Sequence, residues 1–331
     1  TEWSAARHDL DADDWVRTPV PAMNHALTPV DGGFLTISSQ VIVTDRFACD
    51  YDAPTASCGP APIDDPHVVG FDADGAVRFD WSITALFADP DGPLRIGFDS
   101  LDRLSFDEFD WAHANAAIPL DDGVLVSLRH QDALVALDGT GQVRWILANP
   151  DGWPDALRPH LLTPVGDPFR WPFHPHGPAI ADDGAIWVFD NGDWGRTPYG
   201  GVYATAGMSR VVGYRVDPDA GTVEQIGVRF DTATGPLFSS ALGNVDLLPV
   251  TGDVRGVYGF VDTEDGTANL DRGWGRRSAR LVEWAPDGDV VSDLRLRSDG
   301  DDVPNGWRVY RAIHAPALDD AVTTDPRTAG R

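Results

Sequence analysis

Apolar positions along this chain fall in short runs, and helical periodicity is nearly absent. The runs are broken about every 8–12 residues by Asp-Gly turns, which reads as all-β. Two kinds of unit alternate. The first opens on a histidine, passes a Pro or Ala, turns at Asp-Gly and returns as an apolar strand. It occurs as 25-HALTPVDGGFLTI-37, 113-HANAAIPLDDGVLVSL-128 and 176-HGPAIADDGAIWVF-189, with a degenerate copy at 243-GNVDLLPVTGDVRGVYGF-260. The second is a plain hairpin: 71-FDADGAVRFDW-81, 137-LDGTGQVRW-145, 216-VDPDAGTVEQI-226 and 284-WAPDGDVVSDLRL-296.

An inner hairpin followed by an outer one makes a four-stranded sheet. Such sheets repeated around an axis make a β-propeller. The expected architecture is therefore a single β-propeller domain over residues 1–331, with four clear blades and a closing one. The piece 310-YRAIHAPAL-318 reads as one more inner strand, and the N-terminal segment 1–20 is expected to complete that last blade. Extra length sits in 44–66, 83–112 and 148–172, and a sixth blade would have to come from 83–112. A β-sandwich or jelly roll is the competing fold, but it leaves the alternation of two hairpin types unexplained.

In a propeller, equivalent positions of successive inner strands ring the central channel. On this expectation His25, His113, His176 and His314 converge at one end of it. Converging imidazoles suit two chemistries: acid–base or nucleophilic catalysis, and binding of a transition metal such as Cu or Fe. Packing at strand starts is the reading without function.

Composition narrows the partners. The 331 residues are 42% hydrophobic, enough for a sizeable core, and carry a net charge of −27. Every basic residue is arginine. Such a surface repels nucleic acid and anionic membranes. No apolar run reaches the roughly 18–20 residues of a membrane span. The acidity fits a solvated, salt-adapted surface; structural Ca through Asp-rich loops is the alternative, although none has EF-hand spacing. The opening TEWSAARHDL does not read as a signal peptide, and suggests a mature or trimmed form. Cys49 and Cys58 bracket a Pro- and Asp-rich stretch. A disulfide closing the 44–66 surface loop is expected, hence an oxidising, periplasmic or secreted setting. Oligomeric state is not written in the sequence.

Several stretches taken in order resemble the bacterial arylsulfotransferase family. They are 110-DWAHAN-115, 121-DDGVLVSLRHQDALVALDGTGQVRWIL-147, 189-FDNGDWGR-196, 209-SRVVGYRVD-217, 222-TVEQ-225, 243-GNVDLLP-249, 282-VEWAPDGDV-290 and 310-YRA-312. The resemblance covers about residues 100–330. It implies a six-bladed propeller. It also implies transfer of a sulfuryl group from a phenolic sulfate ester to another phenol through a sulfated histidine, without a nucleotide cofactor. By motif position His113 matches the histidine of the D-W-x-H-x-N element, with Asn115 beside it. His176, or else His174, matches the histidine preceding the F-D-N-G strand. Arg196 matches the arginine of the D-N-G-x-x-R loop, which Trp194 lengthens by one residue. Fixed donors around the sulfuryl oxygens would stabilise their charge, as they do for phosphoryl groups. Trp111, Trp194 and Tyr199 are candidates for an aromatic wall around a small aromatic substrate, and Arg210 is a further substrate-binding candidate.

The chain departs from the family pattern at one point. The nucleophilic histidine is expected near 250–275, yet no histidine lies between His176 and His314. Tyr258 or His314 is left as the candidate nucleophile. His25 and His314 are extra relative to the family, which favours the alternative of a multi-histidine metal enzyme (His25, His113, His176, His314). A non-catalytic ligand-binding propeller is the third reading.

Overall fold

The computed structural model describes residues 4–9, 14–19, 23–87, 92–104, 107–121, 123–230, 235–263, 278–296 and 308–314. The fold is nearly all strand. β1 (Ser4–Asp9) and β2 (Asp14–Pro19) form a two-stranded sheet of their own. Four antiparallel meanders follow. The first is β3 (Met23–Val30), β4 (Gly33–Thr44), β5 (Ala61–Asp72) and β6 (Val77–Ser82), leading into the single-turn α1 (Ile83–Leu86). The second is β7 (Ala114–Leu120), β8 (Gly123–Leu128), β9 (Ala133–Leu137) and β10 (Val143–Ala148).

In the third, β11 (Thr163–Val165) adds a parallel edge outside the meander β12 (Pro175–Ile180), β13 (Ile186–Asp190), β14 (Arg210–Asp217) and β15 (Thr222–Arg229). The fourth holds β16 (Phe238–Ser239), β17 (Asn244–Leu247), β18 (Val254–Thr263), β19 (Ser278–Trp284) and β20 (Val290–Leu296). β16 and β17 both pair with β18. The inner and outer hairpins of the sequence are these meanders.

The cores show why the strands read as continuous apolar runs. A strand buried on one face alternates apolar and polar; one buried on both does not. In β9 all five residues are buried. Ala133, Val135 and Leu137 pack toward the first sheet, while Leu134 and Ala136 pack toward the third. β14 divides the same way, with Val212 and Tyr214 facing the second sheet and Val211 facing the fourth. The sheets therefore stack face to face in chain order. Their first strands also touch, β3 on β7, β7 on β12 and β12 on β17. Gly177 marks one such approach: at φ +42°, a Cβ there would lie 2.4 Å from the Asn244 Cβ, so no larger side chain fits without separating β12 from β17.

Asparagines tie the inner strands together. Asn115 donates to the Pro175 carbonyl at 2.8 Å. Asn244 donates to the Ala312 carbonyl and accepts from the Ala312 amide, both at 2.9 Å. The segment 308–314 thereby lies along β17, and the Tyr310 hydroxyl donates to the Asn115 carbonyl at 2.9 Å.

Two sequence expectations meet a different arrangement, the sixth blade and the bounds of the surface loop. Among the described residues of 83–112 there is α1 but no further sheet, so no sixth blade is found there. Among the described residues, 4–19 pair within their own hairpin, and most of the last-blade stretch, 297–307 and 315–331, lies outside the described residues. The surface excursion is 45–60, because β4 and β5 stay paired out to Thr44 and Ala61. Cys49 and Cys58 close that excursion with a disulfide. Residues 264–277, part of the span where a nucleophile is expected, and 315–318 of the last inner-strand motif lie outside the described residues. No described helix is long and apolar enough to cross a membrane.

Candidate active site

Hairpin register decides which side chains gather. His113 and His174 both have left-handed backbones, φ 46° and 55°, and both precede an Asp-Asp-Gly turn by the same spacing. They are the equivalent positions, so His176 is the counterpart of Asn115. The His113/His176 equivalence suggested by the sequence repeat is thus off by two residues. The aligned turns, 121–123 and 182–184, fix the register. His25, at φ 59°, also sits in a strand irregularity at the head of its sheet.

His25, His113 and His176 do come together. With Arg129, Ser240, Ala241, Leu242 and Phe260 they line a cavity of about 290 Å³. The His25 and His113 Nε2 atoms are 3.1 Å apart. The His113 and His176 ring centroids are 6.4 Å apart.

Each ring is held from behind. His113 Nδ1 donates to Asp110 at 2.5 Å. His176 Nδ1 donates to the Asn191 side-chain oxygen at 2.7 Å and lies 3.1 Å from the His174 carbonyl. His130 Nδ1 donates to the Asp110 carbonyl at 2.6 Å. Carboxylates and carbonyls only accept, so these contacts place the neutral ring's proton on Nδ1 and leave a lone pair on Nε2. His130 spends that pair on the Arg129 guanidinium, and His113 accepts from His25. The His176 Nε2 lone pair is left for the cavity. Asn191, which aims His176, is itself fixed by donating to the Ser239 and Leu242 carbonyls at 2.6 and 3.1 Å.

Burial pushes His113, His130 and His176 well below the ordinary imidazole range, with the Arg129 charge adding to the effect. His25 is lowered by the same main cause. All four are neutral at pH 7. His174 goes the other way. Burial and Arg129 pull it down, but hydrogen bonds to Asp132 (3.0 Å) and Asp99 (3.1 Å) carry it up to about 9. Asp99 is correspondingly held far below the carboxylate range: burial alone would raise it, but His174 and Arg129 outweigh that.

Arg129 is the cation of the cavity. It lies 3.2 Å from Asp99 and 3.6 Å from Asp193, and donates to the Ser240 carbonyl at 3.2 Å. It belongs to the β8–β9 turn, Arg129-His130-Gln131-Asp132, which is buried throughout. Sequence reasoning overlooked Arg129 and His130. The signal was there: a turn of four polar residues, without Gly, Pro or Asn, between two wholly apolar strands. Its backbone is laid against the histidine segment, Arg129 N–H on the His113 carbonyl and His130 N–H on Ala112, both at 3.1 Å.

The other expected site residues stand elsewhere. Arg196 is exposed. Its guanidinium lies over Phe98 (5.2 Å) and near Trp194 (5.9 Å), and it lines a different cavity of about 280 Å³ with Tyr51 and Asp52. Trp194 stacks on Phe98 and donates to Asp99 at 3.2 Å. Trp111 is fully buried, its indole N–H on the Arg95 carbonyl at 2.7 Å. The Tyr199 hydroxyl accepts from the Ile96 amide at 3.0 Å. Arg210 is a buried clamp, donating to Asp190 (2.7 Å), Gln225 (3.1 Å) and the Arg170 carbonyl (2.9 Å). Tyr258 is fully buried, edge-on to Phe189. His314 is not among the cavity-lining residues; its amide donates to Asp246 at 2.7 Å. Two tight His/Asp groups could bind a metal, Asp99–His130–His174 and Asp110–His113–His130.

An all-β protein with buried neutral histidines and an arginine around one cavity fits the expected class. Comparison with known proteins gives the family. Residues 61–302 match the family described as Arylsulfotransferase (ASST), and the chain belongs to it. Arylsulfate sulfotransferase AssT of Escherichia coli O6:H1 (strain CFT073) is 35% identical over 135 residues, which are 35% of this chain and 22% of that protein. Arylsulfate sulfotransferase AssT of Lelliottia amnigena is 34% identical over 139 residues, 36% of this chain and 23% of that protein. The matched stretch thus spans under a quarter of those relatives. Among solved structures, a protein of unknown function from Bacteroides caccae aligns over 88% of this chain and 89% of its own, at 12% identity and a TM-score of 0.39. That likeness is too loose to assign a fold.

Proposed function

We propose that this protein is a sulfuryl-transfer enzyme acting on phenolic sulfate esters, with His176 as the group that carries the sulfuryl. The observation behind this is the neutral His176 ring, its Nδ1 anchored on Asn191 and its Nε2 turned to a cavity that also holds Arg129. The Nε2 lone pair attacks sulfur and forms an N–S bond. The S–O bond to the aryl group breaks, and its electron pair leaves with the phenolate. A second phenol then gives up its proton to the Nε2 lone pair of neutral His113, taking the place of the bond from His25. Its oxygen takes the sulfuryl group and the N–S bond breaks.

Arg129 lines the cavity and sets a fixed positive charge beside the nonbridging oxygens, which carry negative charge through both steps. Its setting against Asp99, His130 and the Ser240 carbonyl holds it there before substrate arrives. This replaces the expected assignment of His314 or Tyr258 as nucleophile, since neither lines the cavity. No metal or nucleotide is required for the two steps.

The face-to-face stacking of the four sheets and the contacts of their first strands support a single-domain propeller, with the cavity at one end of its axis and 308–314 as the start of a further blade. The Cys49–Cys58 disulfide supports an exported, oxidised location.

The test is to mix the enzyme with 4-nitrophenyl sulfate in the absence of an acceptor. A burst of one equivalent of nitrophenolate and a mass gain of one SO3 on the His176 peptide are expected. His176→Asn should abolish both. No burst, or an adduct on another residue, refutes the assignment.

A further inference from the structure

One contact in the cavity ties the His113 lone pair to a histidine that the transfer does not use. His25 and His113 point their Nε2 atoms at each other, 3.1 Å apart. One hydrogen can bridge them, but the spacing is also that of two ligands on one metal ion. A metal 2.0–2.1 Å from each nitrogen would subtend roughly 100° between them. The ring centroids, 4.7 Å apart and inclined at 71°, agree. An ion in both ring planes lies about 3.2 Å from each centroid, which gives nearly the same angle.

The surroundings are those of a ligand set. His113 has the carboxylate of Asp110 on its far nitrogen, the usual support for a metal-bound imidazole. His176 has Asn191 in the same role. Freeing His25 Nε2 means moving its proton to the buried, unpartnered Nδ1 and giving up the bond to His113, and the two metal–nitrogen bonds would have to offset that cost. Arg129 would repel a cation, but Asp99 at 3.2 Å and Asp110 behind His113 offset its charge.

We propose that His25 and His113, with His176 as third ligand, form a binding site for a divalent first-row transition metal. An all-imidazole set selects Zn, Co or Cu over Ca or Mg. The His176 ring stands 6.4 Å from His113, and its nitrogens do not lie within 4.8 Å of the ligand atoms of both other rings, so it must close by at least about 1.4 Å to reach the roughly 3.4 Å of a tetrahedral pair. The cavity gives it that room, and a fourth position stays open to it. Because the metal takes the His176 lone pair, occupancy and sulfuryl transfer exclude each other. That last consequence rests on the transfer reading; the metal site does not.

The experiment is a titration of chelator-treated protein with Co2+, read by its visible ligand-field absorption, and with Zn2+ by calorimetry. One saturable equivalent is expected, with the intense bands of a four-coordinate ion. His25→Ala and His113→Ala should each weaken binding at least about a hundredfold, and His176→Ala at least about tenfold. His25→Gln, which keeps bulk and removes the ligand, covers the case in which the alanine variant fails to fold. No saturable binding to the wild type, or unchanged binding in a folded His25 variant, overturns the site. Metal binding without a nitrophenolate burst would sink only the transfer reading, and a burst without metal binding only this one.

Discussion

His174 offers the sharpest physical test of the site's architecture. Its ring is wholly buried between two carboxylates, at 3.0 Å from Asp132 and 3.1 Å from Asp99, and its pKa rises from 6.5 to about 9. The folded state then holds a proton that the unfolded chain releases across that window. Stability is fully present below pH 6.5 and falls as pH climbs toward 9. A shift of this size corresponds to roughly 3 kcal/mol. That is a sizeable share of the 5–15 kcal/mol typical of a whole domain.

The neighbouring histidines act in the opposite direction. His25, His113, His130 and His176 are lowered by burial, so their contribution is present above pH 6.5 and is lost as pH falls below it. The two windows do not overlap. The assay is urea unfolding of wild type and His174→Gln at half-unit steps from pH 6 to 10. The wild type should lose about 3 kcal/mol relative to the variant over that range. Equal slopes in the two proteins, or a ring titration of His174 by NMR at or below 6.5, would refute the doubly paired imidazolium.

Two further predictions follow from the same geometry. If Arg129 is the sulfuryl clamp and Arg196 belongs to a separate cavity, Arg129→Lys should lower kcat/KM for 4-nitrophenyl sulfate by about 100-fold. Arg196→Ala should stay within about threefold, and the reverse order would move the site to the Phe98 cavity. Asn115→Ala should cost about 1 kcal/mol in urea unfolding, because the Pro175 carbonyl loses one of two buried donors and keeps Ser127 at 3.0 Å; a neutral result would mean that the inner strands hold together without it.

Much of the fold was legible because the chain repeats itself. The alternation of two hairpin types predicted the meanders, and the disulfide followed from two cysteines and their loop. The candidate site was only half legible. His25, His113 and His176 announce themselves by opening strands. Arg129 and His130 do not, because they occupy a turn, and turns are ordinarily where charge is solvated. Only the packing of that turn under His113 turns it inward. Arg196 was misleading for a related reason: its motif is preserved, but Gly195 and Trp194 carry left-handed backbones that aim the chain past the histidines toward Phe98. Motif spacing describes a path along the chain, whereas the aim of a side chain depends on one or two dihedral angles.

A chain with a net charge of −27 is an odd host for an anionic substrate. The site resolves this locally. It does so by placement, not by net charge: two cations, Arg129 and the His174 imidazolium, sit among four carboxylates, Asp99, Asp110, Asp132 and Asp193, within a few ångströms. What distinguishes the cavity is which charge reaches the surface of it. The carboxylates lie behind the imidazoles and the guanidinium, spent on Nδ1 protons and on Arg129, so the lining shows an anion donors and a lone pair but no carboxylate. The surface charge of the rest of the molecule acts only over a Debye length, about 10 Å at 0.1 M salt and about 3 Å at 1 M. In a salt-rich setting the long-range repulsion is screened and the short-range donors are not. The acidity of this chain and its proposed anionic substrate are therefore compatible, provided the donors are buried and preorganised, as the pinning of Arg129 by Asp99, His130 and Ser240 makes them.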